Sequence, residues 1–500
     1  MSQSLTPTPT LLTPSLPPKT LVGIDLITFT STPNFHGIRD IPSGWHFLYT
    51  GTTEGLSLRV GGWFYIDATD TNKQSGGGGG AQSEILVWKW DENAECLEPL
   101  SPEQAGEGMR YRANIGGVWG SGGLFGYRSR VPVPVSTGGS GALQKIGSGA
   151  GAASNVAEVN EEDEEEGRRE WAALTDSLSE ALLSRITGSP GGDWEGRKRW
   201  VVTSGSTAKM DDDDIPGLEE PNPALISEGR TAPTPATTTQ LQTQTRPESN
   251  TERPFSFLPI DLKMTWRSGA IGRERTEAAR DKSWALGEII HSINPSDDKP
   301  GEAQILGELQ FTFLMGLTLM NFSCLQQWKR LLRLILTCRS AILTRDSLIS
   351  SVLRLLLTQL KRCDNVEGGL FDQMGNEGGA EGSEFLRKLL RGFRIAIYEV
   401  LEDGEQNQTS SGIDSPVKRE FEKLEEWVKN EFDWELDRDK VLRRGMVQLE
   451  DGEQVELEVD DHEEEEEYQP VVVDLGEGTG GNVDEDIVLD DDDHVGDMRY

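Results

Sequence analysis

Five histidines are the side chains of this sequence best suited to proton transfer or metal binding. None of them pairs with another residue at the spacing of a metal site or a general base, and no GxSxG, HExxH or P-loop pattern occurs. His36 and His46 bracket a β-rich motif and could lie near each other, although a structural role fits both better. The sequence therefore predicts a protein that is not an enzyme and needs no cofactor or catalytic metal. The histidines are His36, His46, His291, His462 and His494.

A glycine pattern near the end of the chain, GxGxxG at 476–481, has the spacing of a dinucleotide fingerprint and follows the strand-like run 471–473. The next residues are Asn-Val-Asp-Glu-Asp, which do not open a helix and whose acids would repel a pyrophosphate. The acidic runs 211–214 and 463–467 could bind divalent cations loosely, but solvated runs are the simpler interpretation. We therefore expect no nucleotide site.

The cysteines are scattered, with no CxxC pair and no zinc-binding spacing. Three of them lie in or beside apolar helical stretches, which indicates core thiols and a reducing compartment. The first ten residues lack the basic and apolar regions of a secretory signal. The most apolar window, 311–322, is shorter than a membrane span, so we expect no membrane association. The cysteines are Cys96, Cys324, Cys338 and Cys363.

The charge balance is 48 basic against 85 acidic side chains, a formal net charge of −37. Such a field repels phosphate backbones and argues against direct binding of nucleic acid. The last fifty residues carry 21 acids and one arginine, so the tail holds about half of the net charge.

The first part of the chain predicts an all-β barrel or sandwich. Residues 1–18 are rich in Pro, Thr and Ser and are expected to be disordered. Residues 19–128 form the N-terminal β domain, with glycines 76–80 as a loop insertion and 112–127 as its closing edge. The strand-like runs within it are 21–26, 45–49, 56–60, 62–66 and 85–90.

The later part of the chain predicts an all-α domain. Two apolar stripes at helical spacing are wide enough to need cover on more than one side, which indicates a stack of helices with Trp328 in its core. The fold class is therefore α+β with several domains. The remaining boundaries are 129–166 as a linker, 167–187 as a helical segment, 188–254 as a disordered linker, 255–440 as the helical domain and 441–500 as an acidic tail. The stripes are Leu325, Trp328, Leu331, Leu332 and Ile335, and then Leu348, Ile349, Val352, Leu353, Leu355, Leu356 and Leu360.

One short apolar run interrupts the acidic tail. It is β-branched and has no neighbouring sequence on which to pack. It therefore either returns to an edge of its own β domain or adds to a sheet in another protein, and we predict the second, β-augmentation of a partner. The run consists of Pro470, Val471, Val472, Val473, Asp474 and Leu475.

Ser415, which stands before Pro416, is a candidate phosphorylation site. A phosphate there adds about two negative charges next to a helix that is rich in acids, at Glu420, Glu422 and Glu425. We expect that repulsion to release a bound partner.

Three groups of motifs occur in order along the chain, and together they resemble the AAR family of splicing factors, named for mating-type a1-alpha2 repression. Members of this family are assembly factors of the U5 small nuclear ribonucleoprotein (U5 snRNP). Long insertions set this chain apart as a fungal-type member. The motifs are GID at 23–25 with FHGIRDIPSGWHFL at 35–48, then GELQF at 307–311 with WKRLL at 328–332 and CRS at 338–340, and finally FDW at 432–434 with PVVVDL at 470–475.

The resemblance implies a VHS-like helical domain and a non-catalytic, chaperone-like role. It implies binding to the large U5 scaffold protein, pre-mRNA-processing-splicing factor eight, through that protein's RNase-H-like and metalloprotease-like (MPN) domains. Such binding keeps the U5 helicase off an immature particle. We expect a monomer in cytoplasm and nucleus before the complex forms. The alternative is an acidic, less specific protein-binding chaperone or adaptor whose tail acts by charge alone.

Overall fold

A computed structural model describes most of the N-terminal half and most of the helical region. The described residues are 8–52, 58–67, 84–129, 161–208, 254–364, 380–406, 415–436, 443–448 and 454–459. The strands are β1 (Thr10–Leu12), β2 (Leu21–Ile24), β3 (Ile27–Thr30), β4 (Gly37–Arg39), β5 (Gly44–Gly51), β6 (Val60–Ile66), β7 (Ile85–Asp91), β8 (Cys96–Pro99), β9 (Leu124–Gly126), β10 (Gly191–Gly192), β11 (Lys198–Thr203), β12 (Arg443–Gln448) and β13 (Gln454–Val459). The helices are α1 (Ala105–Gly120), α2 (Glu161–Thr175), α3 (Glu180–Thr187), α4 (Arg273–Arg280), α5 (Ser283–Ile293), α6 (Asp298–Leu319), α7 (Phe322–Leu336), α8 (Ala341–Thr344), α9 (Asp346–Asp364), α10 (Ala380–Gln406) and α11 (Pro416–Phe432).

The N-terminal half is built from two sheets. One has the order β8-β7-β1-β4-β9 and the other β10-β11-β6-β5-β2-β3. A cluster of buried side chains from both sheets, including Leu11, Val22, Phe64 and Trp88, forms the core between them. This arrangement confirms the predicted β domain and, with the helices that follow, the α+β class.

Strand β1 corrects the expectation that residues 1–18 are disordered. Thr10 and Leu11 are fully buried, and β1 lies between β7, to which it is parallel, and β4, to which it is antiparallel. Prolines on both sides give this stretch the composition of a flexible segment. Only pairing with strands far away in the sequence makes it a strand, and local pattern does not show such pairing.

Helix α1 corrects the expectation that 112–127 is a closing sheet edge, because only β9 within that range is a strand. The helix contains five glycines and little apolar periodicity, so its sequence gives a weak helical signal. Packing stabilises the helix despite its low helix propensity. Tyr111, Ile115 and Val118 lie against a small core that includes Leu12 and Val87.

Two predicted linkers also contain regular structure. The acidic run 161–166 was expected to end a linker, but it forms the start of α2. Carboxylates are stabilising there because the N-terminal end of a helix dipole is positive. Within the predicted disordered linker 188–254, β11 pairs antiparallel with β6 and buries Trp200. Residues 209–253 and 130–160 lie outside the described part.

The helical domain follows the predicted stripes. Trp328 and the α9 side chains Leu348, Val352 and Leu356 are buried, so the predicted core role of Trp328 is confirmed. Asp297 and Asn321 cap α6 and α7 by accepting from Lys299 N and Cys324 N. The finer VHS-like arrangement of these helices stays a prediction.

The two halves share one core. Phe47 and Trp63 of the β domain belong to the same buried cluster as Trp171 of α2, Phe311 of α6 and Leu332 of α7. The helical segment between the halves therefore packs on both, which the interpretation of separate domains joined by linkers had not anticipated. No helix among the described residues is long and apolar enough to cross a membrane.

Candidate functional site

His46 lies in a buried network at the turn between β2 and β3. Its Nδ1 is 2.8 Å from Asp25 Oδ2, and its Nε2 is 2.8 Å from the carbonyl oxygen of Pro42. Phe47 N donates to Asp25 Oδ1 at 2.9 Å, and the hydroxyl of Tyr127 donates to Asp25 Oδ2 at 2.6 Å. Burial, with the neighbouring Asp25 carboxylate, raises the pKa of Tyr127, so its hydroxyl remains a donor.

This network joins strands rather than presenting a reactive group. Both ring nitrogens of His46 have protein partners, so neither is open to a substrate. His36, by contrast, is exposed, and its backbone N–H donates to the carbonyl of Gly123 beside β9. The sequence pattern singled out both histidines but not the roles of Asp25 and Tyr127. The GID motif at 23–25 was the signal that could have found Asp25.

The cysteines and acids of the described residues form no metal site. No group of three or more His, Cys, Asp or Glu side chains among them could hold a metal ion. All four cysteines are buried, and burial raises the pKa of Cys96 to about 11 and also raises that of Cys338, so both thiols stay neutral. His462, His494 and the 476–481 glycine pattern lie outside the described part.

A second buried network lies at the centre of the helical domain. Glu308 of α6 is fully buried, 2.7 Å from Arg185 Nη2 of α3, and accepts from Leu258 N at 3.0 Å and Gln327 Nε2 at 2.8 Å. Burial raises the pKa of Glu308, opposed by the charge of Arg185 and by these donors. The network ties four parts of the chain together, namely α3, the segment at Leu258, α6 and α7. Its signal in the sequence was one acid, Glu308, within the apolar stretch 306–319.

The edges of the two sheets meet at an aromatic cluster. β3 ends the six-stranded sheet and β9 ends the five-stranded sheet. Phe29 of β3 and Phe125 of β9 have ring centroids 6.0 Å apart, and Phe35 lies 5.2 Å from the first and 5.1 Å from the second. Phe125 is 38% exposed, so an apolar ring is open to solvent where two strands lack an outer neighbour among the described residues.

The predicted phosphorylation site lies in the helical domain and the predicted partner-binding strand lies in the tail. Ser415 is the N-cap residue of α11 and is buried, with Lys418 and Arg419 in the first turn. Its phosphorylation stays a prediction. The strand of Pro470 to Leu475 lies outside the described residues. Within the predicted acidic tail, β12 and β13 form an antiparallel hairpin.

Both halves of the fold match family models. One described as the AAR2 N-terminal domain matches residues 7–188, and one described as the AAR2 C-terminal repeat region matches residues 257–437. The chain belongs to the AAR2 family. The N-terminal AAR2 match begins before β1 and ends after α3, so it includes the strand and the helical segment that the sequence analysis placed outside the β domain.

The chain is also similar to mammalian proteins named Protein AAR2 homolog. The one from Mus musculus is 24% identical over 363 residues, which cover 69% of this chain and 73% of the mouse protein. The one from Homo sapiens is 22% identical over 434 residues, which cover 84% of this chain and 88% of the human protein. The resemblance to the AAR family is therefore confirmed.

Proposed function

We propose that this protein is a non-catalytic assembly factor of the U5 snRNP in pre-mRNA splicing. The observation that carries the proposal is that both AAR2-family units are present and share one buried core. The occupied ring nitrogens of His46 and the neutral buried thiols support a role in binding rather than chemistry. The partner is the large U5 scaffold protein, and the effect of binding is to block early entry of the helicase.

The tail strand supplies the second contact of this proposal. In an extended strand, Val471, Val473 and Leu475 share one face. Burying these three side chains contributes about 2 kcal/mol each. Ordering the six residues of the strand costs about 1–2 kcal/mol each, and ladder hydrogen bonds contribute only about 1 kcal/mol apiece. The free segment should therefore bind weakly, while a docked body raises its effective concentration to about millimolar.

The charge of the chain fits a protein partner better than RNA. A net charge of −37 repels nucleic-acid backbones, and the acids around the tail strand keep it soluble until the partner binds. We place the protein in both cytoplasm and nucleus, as a monomer until it meets the scaffold.

The test is calorimetric binding of the full chain to recombinant RNase-H-like and MPN-type domains of the scaffold protein. Val472→Pro removes a ladder donor and should weaken binding about tenfold or more. Val488→Pro, outside the strand, is the matched control and should bind like the parent. Equal affinity of Val472→Pro and parent would show that the strand does not augment the scaffold.

A second variant separates strand pairing from charge. Scrambling the order of residues 470–475 keeps composition and net charge unchanged. A scrambled chain that binds normally would favour the acidic, less specific chaperone. Absence of binding by the parent itself, together with undiminished loading of the helicase, would overturn the proposed function.

A further inference from the structure

We propose that in the free protein the segment Pro470 to Leu475 pairs with the open edge of β3 and covers Phe29 and Phe125. This intramolecular site holds the tail strand before a partner takes it. The inference shares the tail segment with the proposed function, but it concerns the protein alone and does not depend on the identity of the partner.

The backbone of β3 is ready to accept a strand. The register pairs Ile24 with Ile27 across the tight turn and Val22 with Phe29, and farther along Ser31 N donates to Thr20 O at 2.8 Å. Because hydrogen-bonded pairs alternate along an antiparallel ladder, the N–H and C=O groups of Thr28 and Thr30 point away from β2. Both threonines are exposed, and no described strand lies beyond them.

The side chains at this edge define which face an added strand would bury. Phe29 points toward the aromatic cluster, while Thr28 and Thr30 point to solvent. Phe125 of β9 lies across the gap and leaves more than a third of its surface exposed. The inward side chains of a strand added beside β3 would pack against the ring of Phe125.

The tail segment fits this site in shape, charge and reach. Its inward face of Val471, Val473 and Leu475 is apolar, and acidic runs flank it on both sides. The site has a cation at each end of β3. Exposed Lys19 lies at the Ser31 end, where its backbone N–H donates to Ser31 O. Arg362 lies at the Leu26 end, where its Nη2 donates to Leu26 O at 2.9 Å. Outside the β12–β13 hairpin, the segment between Leu436 and Pro470 has 16 residues, 437–442 and 460–469, which span up to about 53 Å when extended. The distance to cover is short, because α11 packs on α9 and Arg362 of α9 itself contacts the β2–β3 turn.

The closed tail has a consequence for partner binding. An isolated segment that binds the β3 edge with a Kd of about 0.1 mM would be held closed in a ratio of about ten to one at an effective concentration of about 1 mM. A partner sheet must then compete for it. Phe125→Ser, which removes the exposed ring of the resting site and no residue of the tail segment, should therefore raise partner affinity up to about tenfold.

Cysteine cross-linking of the full chain tests the site directly. The native cysteines are buried, so mild oxidation acts on introduced pairs. Thr28→Cys with Val472→Cys places both thiols on the solvent face and should give an intramolecular disulfide. Thr28→Cys with Val473→Cys, on opposite faces, is the matched control and should not.

Hydrogen exchange gives a second, independent measurement. The Thr28 and Thr30 amides should exchange about tenfold more slowly in the full chain than in a chain that ends at Glu467. The Phe29 amide, which bonds β2, should not differ. Equal exchange of the threonine amides in the two chains, equal cross-linking of both cysteine pairs, or cross-links found only between two copies would overturn the intramolecular site. None of these outcomes requires the scaffold, so they are distinct from failure of the proposed function.

Discussion

Trp45 and Trp171 join the β domain to the helical segment through a pair of indole hydrogen bonds. The Trp171 indole donates to the backbone carbonyl of Trp45 at 2.7 Å, and the Trp45 indole donates to the carbonyl of Leu178 at 3.1 Å. Trp171 also stacks on Trp63, with centroids 6.0 Å apart. The interface therefore combines apolar packing with two hydrogen bonds of defined direction. Together they constrain the orientation of α2 on the sheet.

Trp171→Phe should destabilise the whole protein rather than one half. The ring is kept, but the buried Trp45 carbonyl loses its donor, which costs about 1–3 kcal/mol. Thermal unfolding followed by circular dichroism should show one transition, lowered by about 2–4 °C per kcal/mol. Trp119→Phe, in half-buried α1, is the control and should shift the transition less. Two separate transitions in the variant would contradict the shared core.

Trp328→Ala should be more damaging. Trp328 is fully buried, and its indole donates to Gln359 Oε1 at 3.0 Å, so truncation leaves both a cavity and an unpaired amide oxygen on Gln359. The expected loss is about 3–5 kcal/mol of the free energy of unfolding, measured by urea denaturation. If partner binding vanished while stability stayed at the parent value, Trp328 would be a contact residue instead.

The sequence predicted the elements whose cause is local. The stripes on α7 and α9 show at helical spacing because each helix buries one wide face. β1, α1 and β11 were missed because each depends on partners far along the chain: Ile85 to Val87 for β1, Leu12 and Val87 for α1, and Trp63 for β11. His46 has the structural role that its isolation in the sequence indicated, but its hydrogen-bond partners Pro42 and Asp25 are 4 and 21 residues away and no spacing rule connects them.

Asp281 should make stability depend on pH at the acid end. Its carboxylate accepts from Ser283 N at 3.0 Å, Arg339 N at 2.9 Å and Ser340 N at 3.1 Å, and so joins the starts of α5 and α8. Burial acts to raise the pKa of Asp281, but the hydroxyl and backbone donors of Ser283 and Ser340 outweigh it and lower the pKa. A lowered pKa in the folded state means that this stabilisation is present above the unfolded value, about 3.9, and is lost as the pH falls through the folded value.

Asp281→Asn tests that dependence. Its deficit in the free energy of unfolding should be constant from pH 7 to about pH 5 and should shrink at lower pH, where the parent carboxylate becomes protonated. Glu274→Gln, on the exposed helix α4, is the control. A deficit that does not change with pH would show that shape, not charge, accounts for the role of Asp281.

Ser415→Glu should weaken binding to the scaffold domains while leaving α11 intact. A negative charge at the N-cap is compatible with the helix dipole and with Lys418 and Arg419, so circular dichroism should not change. The added charge would act on the partner through the acidic face of α11. Ser415→Gln is the neutral control. Parent-like affinity of the Glu variant would argue against release by phosphorylation.

The order in which the strands appear along the chain has a consequence for synthesis. β11 joins β6 only after more than a hundred further residues have been made, and Arg59 bonds the carbonyl of Thr318 across a separation of 259 residues. At about 5–20 residues per second, the face of Trp63 stays uncovered for many seconds on a growing chain. The nascent protein therefore has an apolar sheet face available to general chaperones, and any product that stops before α6 leaves that face without the cover of Phe311.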